Sequence, residues 1–328
     1  MTPMSGQIPS ILSVGAAVQD VFLSHSDEFK PVTDKSLHEQ VMQLEMGAKA
    51  DVNNIHFSTG GGATNASVTF ARQGLHATFM GTIGHDPAGR AVLDDLDEEG
   101  VDTRHVSYSE KYHTGYSVLL LAPNGERTIL TYRGASTHYD IRNFDLKDVD
   151  VDWLYVSSMA GSMDVLAKIF DHARDKGIKI FFNPGKGELA HPAKLKGLLD
   201  DVEVLSVNKE EAVQIVEGSD SEELARHLLH YVSVAIVSDG PNGVVATDGK
   251  TIVRGGMYED VKVVDRTGAG DAFGSGFLSQ WSQGKSLKEA IVFASANSTS
   301  VVTKVGAKAG ILHHGVRLHE MPLSEKPY

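Results

Sequence analysis

The chain has 328 residues, 41% hydrophobic and 22% charged, with a formal net charge of −13 and no cysteine. This balance suits a soluble globular protein. The acidity disfavours nucleic acid and anionic membranes as partners, and the missing thiols exclude disulfides, thiolate metal sites and cysteine nucleophiles. Met1 to Ser10 show no basic segment leading into a long apolar run, and no stretch reaches the ~18 apolar residues of a membrane span, so a cytoplasmic protein is expected.

In chain order, Ile11-Leu12-Ser13-Val14-Gly15 predicts a central strand, with the apolar run continuing to Val18. Residues 24–56 are polar and aperiodic, too long for a simple connection, and predict a strand-rich insertion or lid. Gly60-Gly61-Gly62 opens a helix to Arg72, Ala77–Ile83 is a strand, and Asp86–Glu99 is a helix stopped at Gly100. Ser117–Leu121 and Arg127–Thr131 flank Pro123-Asn124-Gly125, a hairpin signal. Trp153–Val156, Ile178–Phe182, Val202–Val207 and Val234–Ser238 suit buried parallel strands, alternating with helices at 162–176, 209–216 and 221–231. A second hairpin turns at Asp248-Gly249, and helices at 270–284 and 286–303 close the core. This rhythm predicts one α/β domain over 1–328, a doubly wound, mainly parallel sheet between helical layers. The lid would comprise about 16–58 and 110–138.

Three motifs carry chemistry. Val264 to Phe277 places Thr267-Gly268-Ala269-Gly270-Asp271 at a helix start, where unpaired N–H groups and the helix dipole favour an anion. An aspartate there repels phosphate unless Asp271 takes a proton while the amides hold a transferring phosphoryl group; the alternative is a simple helix cap. Gly60 to Asn65 would bring backbone close to a ligand, with the Asn65 amide offered to a polyol, or would be only a tight turn. Asn208-Lys209-Glu210-Glu211 follows a strand, where Asn208 and Glu211 would order water around a phosphate-bound Mg²⁺ or form a capping box.

Together these motifs resemble the ribokinase, or PfkB, family of sugar and nucleoside kinases, over roughly residues 11–310. The resemblance implies a ribokinase-like three-layer α/β/α fold with a small β-rich lid. It also implies an ATP- and Mg²⁺-dependent kinase with Asp271 as base and Gly268, Ala269 and Gly270 as anion hole. It assigns acceptor contacts to Asp20, Gly61, Gly62 and Asn65; apart from the resemblance, Arg133, just after the second hairpin strand, is placed to reach a substrate anion from the lid. It assigns nucleotide contacts to Asn208, Glu211, Ser238, Gly240, Gly243 and Ser295. A K⁺-like ion would sit between Asp265 and Thr267 and the backbone of Val301, Lys304 and Gly306. The blander readings are a solvated turn for Asp20, helix packing for Ser295 and solvation for Arg133. Arg266 replaces a more usual threonine, and Gly62 and Val18 stand where ribokinase has lysine and asparagine, which counts against ribose.

A sugar or sugar acid is the leading acceptor and a nucleoside the runner-up; a non-catalytic binding protein on the same scaffold is a third reading. The open edges of the lid hairpin point to a homodimer. Asp248-Gly249-Lys250-Thr251 lacks the leading glycine of a P-loop, His38-Glu39 lacks the second histidine of a zinc protease, and Gly15-Ala16-Ala17-Val18 lacks a dinucleotide fingerprint.

Overall fold

A computed structural model describes residues 7–34, 39–123, 126–258 and 261–328. Met1–Gly6, His38 and the turn residues Asn124 and Gly125 lie outside the described residues. In chain order the elements begin with β1 (Ser10–Val14), β2 (Val18–Ser24), β3 (Pro31–Asp34), β4 (Glu39–Met42), β5 (Asn54–Gly60), α1 (Gly62–Arg72), β6 (His76–Gly84) and α2 (Pro87–Glu98). Next come β7 (Asp102–Ser109), β8 (Gly115–Leu121), β9 (Arg127–Tyr132), β10 (Trp153–Ser157), α3 (Met163–Lys176), β11 (Lys179–Asn183), α4 (Lys186–Leu189) and α5 (Pro192–Leu199). The chain finishes with β12 (Val204–Asn208), α6 (Lys209–Ile215), α7 (Ser221–Leu228), β13 (Val234–Ser238), β14 (Val244–Thr247), β15 (Thr251–Gly255), α8 (Ala269–Trp281), α9 (Leu287–Val302) and β16 (Leu323–Pro327).

Among the described residues the large sheet runs β7-β6-β1-β10-β11-β12-β13-β14-β15-β16. Neighbours from β7 to β13 are parallel, and β14, β15 and β16 are added antiparallel. The apolar runs read from the sequence are its centre because both faces are covered. Leu12, Val14, Leu154, Val156, Ile180 and Phe182 face a core with α3, α5, α6 and α7. The alternate residues Ile11, Trp153, Tyr155 and Phe181 face a second core built on α1, α8 and α9. The result is the expected three-layer, doubly wound, mainly parallel architecture. The winding reverses at β1, which pairs with β6 on one side and β10 on the other, so a ligand crevice is expected beyond its carboxyl end.

A second sheet, β5-β2-β8-β9, and the β3–β4 hairpin use strands from the stretches 16–58 and 110–138. The apolar run from Ile11 to Val18 is not one strand: it breaks after Val14, and Val18 starts β2 in the other sheet. Gly15 makes the break possible, because a Cβ there would lie 2.1 Å from Ser157 Oγ. Asp20 is therefore a strand residue of the second sheet, not a solvated turn. No helix among the described residues is long and apolar enough to cross a membrane.

Candidate active site

Two helices begin at the crevice, and both start on a glycine. α1 is capped by Gly61 at φ 103°, and a Cβ there would lie 2.3 Å from Ala16 O. α8 is capped by Gly268 at φ 77°, whose Cβ position is 2.5 Å from the Ala307 Cβ. The first approach seats the start of α1 on the β1–β2 connection, and the second seats the start of α8 on the loop after α9. Asn65, in the second turn of α1, donates from Nδ2 to Asp271 Oδ2 at 2.8 Å across 206 residues of sequence. Asp271 is in the first turn of α8 rather than at its cap, and its carboxylate is held by this amide. The helix-cap reading is thus excluded.

Asp271 is half-buried, and burial pushes its carboxyl above the ordinary carboxylate value, with the Asn65 hydrogen bond pulling partly back. The backbone N–H groups of Gly268, Gly270 and Asp271 make no hydrogen bond among the described residues, while Ala269 N–H is turned to Arg266 O at 3.3 Å. Gly270 is exposed, with nothing within 4 Å of its Cβ position. A helix start with free amides, open space and a carboxylate at its edge can hold an anion beside a base.

The opposite wall is the glycine run. A Cβ on Gly62 would lie 3.1 Å from Asp271 Oδ1, 3.1 Å from Ser157 Oγ and 2.9 Å from Ser157 Cβ, so Ser157 and Asp271 face each other across a residue with no room for a side chain. Asn65 Oδ1 is buried with no partner, an acceptor left for a hydroxyl. Asp20 is buried on β2, its Oδ2 2.5 Å from the Cβ position of Gly60. Burial raises its carboxyl, opposed by a hydrogen bond from Ser117 and the charge of Lys308. Arg133 is exposed just past β9, and no contact brings its side chain to Asp271.

Asn208 and Ser238 are paired residues at the ends of neighbouring strands. Asn208 and Glu211 form a reciprocal capping box, Glu211 N donating to Asn208 Oδ1 and Asn208 N to Glu211 Oε2, both at 2.9 Å. Burial raises the Glu211 carboxyl, and Asn208 partly offsets this. The turn after β13 passes through Gly240 and Gly243, and a Cβ on Gly243 would lie 2.1 Å from Gly255 O. Ser295, on α9, is buried with an unpartnered Oγ. Among the described residues no three or more His, Asp or Glu side chains gather to hold a metal.

The segments named for a monovalent ion do meet. Asp265 Oδ1 accepts from Thr267 N at 3.0 Å and Thr267 Oγ1 at 2.7 Å, and Asp265 Oδ2 accepts from Gly306 N at 3.1 Å. Lys304 N donates to Val301 O at 3.1 Å.

Sequence reasoning missed three side chains. Ser157 is the last residue of the buried strand β10, one past the strand read from the sequence. Lys308 is buried, its Nζ 2.6 Å from both Thr59 Oγ1 and Asp95 Oδ2. Glu188 is fully buried and accepts from Ser158 Oγ, Met159 N, Gly161 N and Gly185 N at 2.8–2.9 Å, fixing the loop after β10. Only Glu188 left a local trace, a glutamate three residues after Gly185 that accepts from the Gly185 N–H.

The pfkB family carbohydrate kinase model matches residues 31–313. A ribokinase from Haemophilus influenzae is 28% identical over 270 residues, covering 79% of this chain and 85% of its own. Among solved structures, a putative ribokinase II from E. coli in complex with ATP and Mg²⁺ superposes with a TM-score of 0.76 at 20% identity, covering 93% of this chain and 96% of the other. A Burkholderia thailandensis nucleoside kinase in complex with inosine gives 0.73 at 19% identity, covering 92% and 94%.

Proposed function

Because the chain belongs to the pfkB family of carbohydrate kinases and is an ATP-dependent kinase, we propose that it phosphorylates a hydroxyl of a sugar or sugar acid, with Asp271 as the base. The observation that carries this reading is the half-buried Asp271 carboxylate, tethered by Asn65 at the lip of the free α8 amides. Asp271 takes the proton of the acceptor hydroxyl as that oxygen bonds to the γ-phosphorus and the bond to the ADP oxygen breaks. A carboxyl raised toward the working pH suits that transfer. Gly268, Ala269 and Gly270 line the anion hole, and the amides left free there, those of Gly268 and Gly270, donate to the phosphoryl oxygens as charge moves onto them. Asn65, Asp20, Gly61 and Gly62 hold the acceptor, and the unpartnered Asn65 Oδ1 accepts from one of its hydroxyls. Arg133 meets a carboxylate or phosphate on the acceptor from the rim.

Asn208, Ser238, Gly240 and Gly243 border the nucleotide phosphates, and the free Ser295 Oγ faces the adenine. Mg²⁺, when bound, supplies charge neutralisation at the phosphates, and Glu211 orders its water. Backbone oxygens around Val301, Lys304 and Gly306, with Asp265 and Thr267, form a cradle for K⁺. The second sheet acts as a lid that excludes water from the transfer.

The relatives include both ribokinases and a nucleoside kinase, so the acceptor class is decided by assay. ADP release is measured with pentoses, hexoses, sugar acids and nucleosides, with and without K⁺. A sugar or sugar acid is expected to give the highest kcat/KM; turnover confined to nucleosides would overturn the sugar reading. One face of the second sheet aligns the buried Val21 with Phe57, Val118 and Leu130, of which Phe57 and Leu130 are each 57% exposed. We assign that apolar face to a second copy of the chain. Sedimentation at micromolar concentration should show a dimer that Phe57→Glu dissociates; a monomeric wild type rejects it.

A further inference from the structure

Lys308 is a buried cation that the proposed chemistry does not use. Its side chain is 6% exposed, and burying an ammonium is costly unless it is paired and hydrogen-bonded. Its partners come from two other elements. Thr59 is on β5, one residue before the glycine run; Asp95 is on α2, and Thr59 Oγ1 also donates to that same Asp95 oxygen.

The loop that carries Lys308 touches the phosphate side as well. Gly306 N donates to Asp265 Oδ2, and Ala307 packs against Gly268, the cap of α8. On β5, Ser58 and Thr59 point to opposite faces of the strand. A Cβ on Gly306 would lie 2.8 Å from Ser58 Oγ, and Lys308 bonds Thr59. Gly306 and Lys308, on either side of Ala307, thus meet β5 on its two faces. Arg72 anchors the loop further on, donating from NH1 to Lys308 O and Ile311 O at 2.9 Å each while its other nitrogens pair with Glu99. From Thr59 the chain runs through Gly61 and Gly62 to Asn65, which holds Asp271.

We propose that Lys308 is a positioning residue that, through Thr59 and Asp95, locks the acceptor-binding end of β5 to the loop after α9 that packs against the anion hole. The inference rests on the acceptor-site reading above. Lys308 touches no reacting atom; it fixes the separation between the wall that holds the acceptor and the helix start that holds the phosphoryl group. Releasing the lock weakens acceptor binding and misaligns the hydroxyl, while the contacts proposed for the nucleotide at Asn208, Ser238 and Ser295 lie elsewhere and keep ATP binding unchanged.

Thr59→Val is the discriminating variant, because it removes the lid-side partner and leaves the Lys308–Asp95 ion pair intact, so no buried charge is stranded. Initial rates are measured against acceptor and ATP for Thr59→Val, Thr59→Ser and Lys308→Met, with thermal melts for each. Thr59→Val should raise the acceptor KM roughly tenfold, the scale of one hydrogen bond to a charged group, and lower kcat with the ATP KM unchanged. Thr59→Ser should restore wild-type kinetics. Wild-type kinetics in Thr59→Val, or a Lys308→Met that lowers Tm alone, overturns the lock. Asp271→Asn is run alongside: if it is inactive while Thr59→Val is normal, only the lock fails, whereas an active Asp271→Asn removes the acceptor-site reading itself.

Discussion

Asp271→Asn replaces the proposed base by a neutral side chain of the same shape. The 2.8 Å bond from Asn65 Nδ2 survives, because the new amide oxygen can accept it. The free amides at the start of α8 belong to the backbone and are untouched, so the KM for ATP should stay within about twofold of wild type. What is lost is proton transfer, worth about 10²- to 10⁴-fold in kcat, or ~3–5 kcal/mol of barrier. The same substitution makes a second prediction of opposite sign. Burial raises the folded carboxyl above its ordinary value of 3.8. The folded state therefore binds this proton more tightly than the unfolded chain. The group's contribution to stability is full below pH 3.8 and is lost as pH rises through the folded pKa. At pH 7 the ionised carboxylate is a liability that asparagine removes, so the variant should melt higher than wild type at pH 7, with the gap closing below pH 3.8. Coupled detection of ADP release and thermal melts at the two pH values check both halves. In wild type, the acid limb of kcat/KM should fall above the ordinary carboxylate range. Turnover within tenfold of wild type, or an acid limb at or below pH 3.8, would refute the assignment of Asp271 as base.

Gly62→Ala places a methyl group 2.9 Å from Ser157 Cβ and 3.1 Å from Asp271 Oδ1, an overpacking of about 1–3 kcal/mol. Acceptor KM should rise roughly tenfold, and adding Ser157→Gly should recover part of the loss in the same rate assay. Glu211→Gln keeps the capping box, since glutamine serves at that position, but removes the charge. The Mg²⁺ concentration for half-maximal rate should rise several-fold with Tm nearly unchanged; an unaltered Mg²⁺ titration rejects the assignment. Glu188→Ala strands Ser158 Oγ and the amides of Met159, Gly161 and Gly185 inside the protein. It should cost about 3 kcal/mol or more in urea unfolding.

Some elements were readable because their cause is local. The strands β10 to β13 are apolar at nearly every position since both faces are covered, and that pattern depends on nothing outside the run. Elements at the rim were not readable. β7 carries Asp102-Thr103-Arg104-His105 and β16 carries Ser324-Glu325-Lys326, compositions with no apolar face, and both are strands only because a neighbouring strand presents unpaired backbone groups. α4 and α5 were hidden by Gly185, Gly187 and Pro192, which read as turn residues.

The candidate site divides along the same line. Backbone chemistry at a helix start is written in a few consecutive residues, so Gly268 to Asp271 and Gly60 to Asn65 stood out as candidate ligand-binding segments from their glycines and their polar neighbours. The sequence by itself determined which backbone could cradle an anion and which carboxylate stood beside it. Only the tertiary structure decided that Asn65 tethers Asp271 across 206 residues, that Ser157 closes the wall at Gly62, and that Lys308 clasps Thr59 across 249. Those contacts depend on how sheets and helices stack, and a side chain carries no local mark of a partner that packing alone brings to it.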